Sequence, residues 1–210
     1  KIMRDFGAKK EKSLILRTHC QTSGVSLTEK DPYNNIVRTS YEALSAILGG
    51  TQSLHTNSFD EAIALPTDES ARIARNTQLI LQNETGVTKT VDPLAGSFFI
   101  EKLTDEISKK SWDLIEEIES LGGMTKAVKA GIPKLKIEES ATKKQAKVDS
   151  GDRVVVGVNK FKNPKEPKID VRVIDNDKVR EDQIKKINKV KSIRDENLVN
   201  ESLLKLTNAA

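Results

Sequence analysis

Apolar residues fall along the first hundred positions in two alternating modes, short runs bounded by turn residues and longer stretches at helical spacing. That alternation is the mark of an α/β chain with parallel strands. Residues 14–17 open a first strand on Leu14, Ile15 and Leu16. After the break at Asp31-Pro32, residues 34–48 place Ile36, Val37, Ala43, Leu44, Ile47 and Leu48 at helical spacing until Gly49-Gly50 stops them. Residues 51–57 read as a second strand and 59–65 as a short helix ended by Pro66. Asp68 then caps a longer helix through Gln82, with Ile73, Thr77, Ile80 and Leu81 on its inner face and Gly86 closing it. A third strand is expected over 96–101, after the Asp92-Pro93 turn, and a helix capped by Thr104 runs from there to Leu121. Three such units are too few for a closed eight-stranded barrel, but their spacing fits the last units of one. The expected fold over residues 1–130 is therefore α/β, the C-terminal part of a (β/α)8 TIM barrel.

Beyond Gly131 the pattern changes to a smaller helix-and-strand extension over 131–195. It comprises a helix over 137–148 ended by Gly151, an apolar strand over 154–158, and an exposed linker over 163–168 with Pro164 and Pro167. A short alternating strand over 170–174 and an amphipathic helix over 182–193, with Ile184, Ile187, Val190 and Ile193 in one stripe, complete it. Residues 196–210 read as a weakly helical tail that frays. The opening segment KIMRDFGAKKEKS has no initiator Met and reads as the tail of a helix followed by a loop, as if from the interior of something longer.

Against this framework two strands are unusually polar. GGTQSLHTNSFD, over 49–60, puts Thr, Gln, Ser, His and Asn where a barrel strand and its loop belong, and LILRTHCQTSG does the same over 14–24. Polar groups are costly to bury unless they contact something. Alternate strand residues share a face, so Arg17, His19 and Gln21 point together. Inward barrel positions are ordinarily bulky and apolar, so polar ones argue for an interior that admits a polar ligand. The other reading is that His19 and Gln21 are satisfied by neighbouring backbone at the strand end. Gln52 and His55 sit analogously on the second strand, with Asn57 and Glu61 at its C-terminal end, where barrel enzymes assemble their sites. His55 alone reads as a buried hydrogen-bonded histidine before a base or metal ligand. No His, Asp and Glu set has zinc spacing, no nucleophile elbow is present, and no Gly-rich loop cradles phosphate, so no catalytic or metal-binding residue is assigned.

Composition narrows the setting. Charged residues make up 31% and aromatics 4% of the 210 residues. No apolar run reaches the roughly 18 residues of a membrane span, and no stretch reads as a signal peptide. The single cysteine, Cys20, rules out an internal disulfide, reads as a packing residue and points to a reducing, cytoplasmic setting. The net charge of +4 lies wholly beyond Asn159. That tail alternates signs and has no aromatic after Phe161, unlike a nucleic-acid surface, which interleaves base and stacking rings.

RTHCQTSGVSLTEKDPYNNIVRT followed by GGTQSLHTNSFDEAIALPT closely resembles the large chain of the methylmalonyl-CoA mutases and related acyl-CoA mutases. SARIARNT, DPLAGSFFIE, GGMTKAVKAGIPKLKIEESATKKQAKVDSG and GVNKF extend the resemblance over nearly everything from Phe6 to about Arg194. It implies a carbon-skeleton isomerase that uses adenosylcobalamin: homolysis of the cobalt–carbon bond, hydrogen abstraction, migration of the thioester group and hydrogen return. In that family the pantetheine of CoA threads the barrel axis, which accounts for polar groups facing inward. By motif match His19, Gln21 and Gln52 would line the substrate channel. Gly24, Val25, Asn57, Glu61, Ala62 and Leu65 would face the corrin or adenosyl group. Such groups position a reactive species and exclude water rather than supply acid or base.

Three positions depart from the family pattern. Val25 stands where methylmalonyl-CoA mutases carry Trp, which removes or reshapes a flat contact with the corrin, and Ala95 and Phe98 replace Gly and Tyr. Nothing in the chain matches the family's N-terminal barrel half or the Asp-x-His-x-x-Gly of its cobalamin-binding domain. The resemblance therefore implies an oligomeric assembly in which this chain works with an N-terminal barrel half, a separate cobalamin-binding subunit and an acyl-CoA substrate, methylmalonyl-CoA or a relative such as isobutyryl-CoA. The competing expectation is a truncated, non-catalytic paralogue that acts as an interaction module. A nucleic-acid role would need salt-sensitive binding through Lys185, Lys186, Lys189 and Lys191.

Overall fold

The computed structural model describes residues 2–165 and 168–209. A single helical turn, α1 (Ile2–Asp5), and an irregular stretch lead into strand β1 (His19–Gln21). Helix α2 (Asn34–Leu48) follows, then strand β2 (Ser53–His55) and helix α3 (Asp68–Glu84). The strands pair in parallel, with His19 opposite Ser53, Cys20 opposite Leu54 and Gln21 opposite His55. Parallel pairing requires a crossover, and α2 is that crossover. The chain is thus α/β and predominantly helical, with a small parallel sheet.

Local chemistry explains the best-defined elements. The Asp31 carbonyl accepts from Asn34 N–H and the Pro32 carbonyl from Asn35 N–H, which starts α2; Gly49 N–H bonds back to Ser45 and Gly50 takes φ +81° to leave it. The predicted helix over 34–48 is thus found at the same bounds. The predicted helix at Asp68 is also present, but its cap is Thr67, whose Oγ1 accepts from Ser70 N–H at 3.2 Å. Apolar Ala43, Ala74 and Leu81 are buried, together with polar Asn35, Thr39, Ser70 and Thr77 on the same two helices.

Elsewhere the expectations need correction. The first strand lies later than 14–17: Ile15 and Leu16 are exposed and pairing begins only at His19. The second is shorter than 51–57. Residues 59–65 form turns, closed by Ile63 and Ala64 N–H on the Asp60 carbonyl, because Pro66 cuts off the turn that a helix would need to propagate.

The predicted third strand over 96–101 is not a strand. Residues from Phe98 onward open α4 (Phe98–Ser120), where Glu101 reaches back to Gly96 N–H at 3.2 Å, and the expected cap at Thr104 is an interior position of that helix. Phe98 and Phe99, read as strand residues, are 94% and 72% exposed, so β-propensity had no partner strand or packing surface to act through. α5 (Met124–Lys129) and α6 (Ile132–Asp149) follow, α6 starting five residues before the expected helix, with Pro133 in its first turn where no N–H is needed.

The predicted strand over 154–158 is a tight turn with one isolated bridge, Val156 to Lys160. Gly157 makes the turn at φ +83° and lies against Asp31 at the entry to α2. Part of the predicted linker over 163–168 falls on residues 166 and 167, outside the described residues.

Residues 172–210 form a separate compact unit. Residues 170–174 carry no named strand, and the helix expected over 182–193 begins earlier, as α7 (Asn176–Ile193), capped by Asp175. The expected frayed tail is a helix, α8 (Glu196–Ala209). Neither helix buries a residue.

Candidate functional site

The C-terminal ends of the two strands meet in a polar knot. β1 ends at Gln21, yet the pairing continues through one more backbone bond and then through side chains. Thr22 N–H donates to the His55 carbonyl at 3.0 Å, and Asn57 N–H donates to the Thr22 hydroxyl at 2.8 Å. The Gln21 amide donates to Asn57 Oδ1 at 3.3 Å. Thr22, Thr56, Asn57, Ser58 and Asp60 are all buried here. This follows from the sequence, since a run of short polar side chains lets two strand ends close on one another while the Thr22 hydroxyl replaces a lost backbone partner.

The knot is incompletely satisfied. Asn57 Nδ2, Ser58 Oγ and Asp60 Oδ1 are buried without a hydrogen-bond partner. Such orphans are uncommon in folded proteins and concentrate where a ligand or water completes the set. A Cβ built on Gly24 would stand 3.4 Å from Asn57 Nδ2, so the glycine borders the orphaned donor.

Two loops flank the knot. Residues 22–28, which hold a 3-10 turn at Gly24–Ser26, are braced by Glu42 of α2: one carboxylate oxygen accepts from Ser23 N–H at 2.7 Å and the other meets the Ser26 hydroxyl. Residues 56–67 carry Phe59, whose ring stacks on Tyr33 at 5.0 Å between centroids. A cleft of about 520 Å³ beside this second loop is lined by His55, Ser58, Glu61, Arg75 and Gln78 among others. Thr56 Oγ1 donates to the Ala74 carbonyl and Gln78 donates to both Thr56 Oγ1 and the Leu54 carbonyl, which ties β2 to α3.

The residues singled out from sequence are distributed as follows. Gln21, Gly24 and Asn57 come together at the knot. Val25, Glu61, Ala62 and Leu65 stand exposed on the two loops, Val25 at 80%. His19 shares the exposed sheet face with Gln21, Ser53 and His55, and its Nδ1 pairs with Ser53 Oγ at 2.7 Å, a side-chain rather than a backbone partner. His55 is exposed, which corrects its reading as a buried histidine. Gln52 lies at the other end of the sheet, before β2, where Oε1 accepts from Thr18 N–H at 2.6 Å and Nε2 donates to the Gly50 carbonyl. Cys20 is a free, half-buried thiol.

Sequence reading passed over Asn35, Glu42 and Asp60. The signal for the first two was present: polar residues at 35, 39 and 42 run down a helix at i, i+4 and i+7, where an inner face is ordinarily apolar.

Parallel strands whose C-terminal ends close in a polar, partly unsatisfied mouth make this an α/β chain with a candidate binding site at the strand ends. Over residues 1–210 the chain matches the family model described as methylmalonyl-CoA mutase, and it belongs to that family. Methylmalonyl-CoA mutase of Rhizobium meliloti (strain 1021) is 63% identical over the whole chain, which covers 30% of that protein. The mutase of Cereibacter sphaeroides is 61% identical with the same coverage. The methylmalonyl-CoA mutase large subunit of Porphyromonas gingivalis is 58% identical over 99% of the chain and 29% of its own length. The chain thus spans about 30% of the length of these relatives. Among the described residues no helix is long and apolar enough to cross a membrane.

Proposed function

We propose that this chain forms one wall of the active site of an adenosylcobalamin-dependent acyl-CoA mutase, an isomerase that interconverts methylmalonyl-CoA and succinyl-CoA. The observation that carries the reading is the knot at the ends of β1 and β2, where buried Asn57 holds an unpartnered amide donor beside Gly24. The frame is the C-terminal part of a (β/α)8 barrel, with residues 1–130 as its last strand-and-helix units, 131–195 as an extension and 196–210 as a helical tail. Whole-chain identity of 63% to a methylmalonyl-CoA mutase supports this substrate before isobutyryl-CoA.

The residues present fit the cofactor's demands. An orphaned buried donor, a glycine without a side chain at its flank, and exposed Val25 and Leu65 offer both a polar and an apolar contact to a group laid over the mouth. Adenosylcobalamin, when bound, supplies the radical chemistry of the rearrangement. The chain's own work is positional. Asn57 and Glu61 orient the group at the mouth, while Gly24, Val25, Ala62 and Leu65 pack against it and keep water out. Gln21, His19 and Gln52 face the acyl-CoA channel, where amides and an imidazole steer the thioester by hydrogen bonding rather than by proton transfer. Thr22 locks the Asn57 backbone, so that the donor is held before the ligand arrives.

The N-terminal barrel half and a cobalamin-binding subunit complete the site in a cytoplasmic assembly. The test is reconstitution. The 210-residue chain alone is expected to give no turnover of methylmalonyl-CoA and no tight adenosylcobalamin binding, and the assembly that contains it is expected to give both. Isomerisation by the purified chain alone, or an assembly that is indifferent to Asn57→Ala, would sink the reading. A second reading, a non-catalytic interaction module, draws on the exposed Phe98, Phe99 and Leu16. A stable monomer on size exclusion favours the module, whereas association relieved by the missing barrel half favours the enzyme.

A further inference from the structure

Helix α2 turns polar side chains toward the two loops at the mouth. Asn35 is wholly buried at 0% exposure. Its Oδ1 accepts from Thr28 N–H at 3.1 Å and from Arg38 Nη1 at 2.7 Å. Its Nδ2 donates to the Thr28 carbonyl and to the Phe59 carbonyl, each at 2.8 Å. A carboxamide offers two donor and two acceptor positions, and Asn35 uses all four. Three of those bonds go to loop backbone: two to the end of the loop that carries Gly24 and Val25, one to the loop that carries Asn57 and Glu61. Arg38 adds a bond to Thr28 Oγ1 at 3.0 Å, and Glu42, two turns below Asn35, grips Ser23 and Ser26 at the start of the first loop.

We propose that Asn35 is a positioning residue for the mutase mouth: it sets the separation of the loops over 22–28 and 56–62, and through them the grip on adenosylcobalamin. The proposal rests on the reading that these loops face that cofactor. Its physical basis is the choice of residue. A leucine, branched at the same carbon, would bring greater hydrophobic gain, but would leave the Thr28 and Phe59 carbonyls without the Asn35 donor. An aspartate would keep the bonds from Thr28 N–H and Arg38 and lose both donors. Only a carboxamide of this length closes one loop on the other while satisfying the backbone of each.

The test compares Asn35→Ala and Asn35→Asp with Leu81→Ala, a core truncation in the last turn of α3. In hydrogen–deuterium exchange on the 210-residue chain, amides of both loops are expected to exchange about tenfold faster in the two Asn35 variants, a local loss of about 1.4 kcal/mol. They are expected to stay within about twofold in Leu81→Ala, even if its melting temperature falls further. Unchanged exchange, acceleration in one loop alone, or equal acceleration in Leu81→Ala overturns the positioning role. In the holoenzyme, equilibrium dialysis with adenosylcobalamin is expected to show a Kd raised about tenfold by the Asn35 variants, with the KM for acyl-CoA within about twofold. Loosened loops with an unchanged cofactor Kd overturn the link to the cofactor. A wild-type holoenzyme that does not bind adenosylcobalamin removes the functional reading instead, and the exchange experiment still decides whether Asn35 holds the loops.

Discussion

Helices α2 and α7 have opposite burial patterns. α2 buries Asn35, Thr39 and Ala43, a stripe that is two-thirds polar, and exposes Val37 and Tyr41. α7 carries the cleaner apolar stripe, Ile184, Ile187, Val190 and Ile193, and buries none of it; these residues are 42 to 73% exposed. Apolar periodicity therefore reports that a segment is helical without reporting that its face is covered. What distinguishes the site-bearing helix is polarity in the wrong place. Buried polar residues are costly unless they find partners; Asn35 finds four, which organises this part of α2 around particular hydrogen bonds, whereas the buried Thr39 hydroxyl has none.

The difference is expected to be largest for the aromatic residues of the two kinds of region. Phe59 is 6% exposed and stacks on Tyr33, whereas Phe98 at the start of α4 is 94% exposed. Phe59→Ala is expected to cost about 3–4 kcal/mol in urea unfolding of the chain, and Phe98→Ala less than about 0.5 kcal/mol. Equal effects would mean that exposure in this fold does not track energetic weight, and the contrast between site region and outlying helices would fail.

Polar anchors come next. Thr22→Val removes the acceptor from a buried Asn57 N–H while keeping the shape of the side chain, at an expected cost of about 2 kcal/mol. Thr142→Val on exposed α6 gives up only a bond to the Glu138 carbonyl within its own helix, and is expected to stay within about 0.5 kcal/mol. Chemical denaturation of the pair measures the contrast directly. A neutral Thr22→Val would show that the knot is not an energetic unit.

Gly157→Ala tests how the later segment is seated on α2. At φ +83° an alanine is strained, and its Cβ would fall 3.1 Å from that of Asp31. A loss of about 1–2 kcal/mol is expected, with the melting temperature as the measurement. A gain in stability would mean that the turn reseats freely and that Arg38, whose Nη2 donates to the Val156 carbonyl at 2.7 Å, is not held by it.

How much was legible in the sequence follows from the same contrast. α2 was readable to the residue because its start at Pro32, its spacing and its Gly49-Gly50 stop agree. The third strand was misread because Phe98, Phe99 and Ile100 carry β-propensity, which depends on a neighbouring strand that sequence alone does not supply. Gln21, Gly24 and Asn57, singled out by motif and density of polar residues, lie together in the structure. Gln52 stands apart from them, before β2, and its bond from Thr18 N–H could not be read from the sequence. Asn35 escaped because its meaning lies in Phe59, 24 residues away.

The smallest expected effect belongs to α7. Asp175 caps it by accepting from Asp177 and Lys178 N–H at 3.1 and 3.0 Å, and no residue of the helix is buried. With burial contributing so little, local terms carry the helix. Asp175→Ala is therefore expected to lower the stability of α7 by about 0.5–1 kcal/mol, and Asp175→Asn by only a few tenths of that scale, read as loss of amide protection over 176–180. The same substitution at a cap of a well-packed helix is usually absorbed by the packing and spreads over the whole domain. If protection in α7 survives Asp175→Ala unchanged, the helix is being held by its apolar stripe after all, and the inversion between α2 and α7 would be one of surface exposure in this chain, not of how the two helices are stabilised.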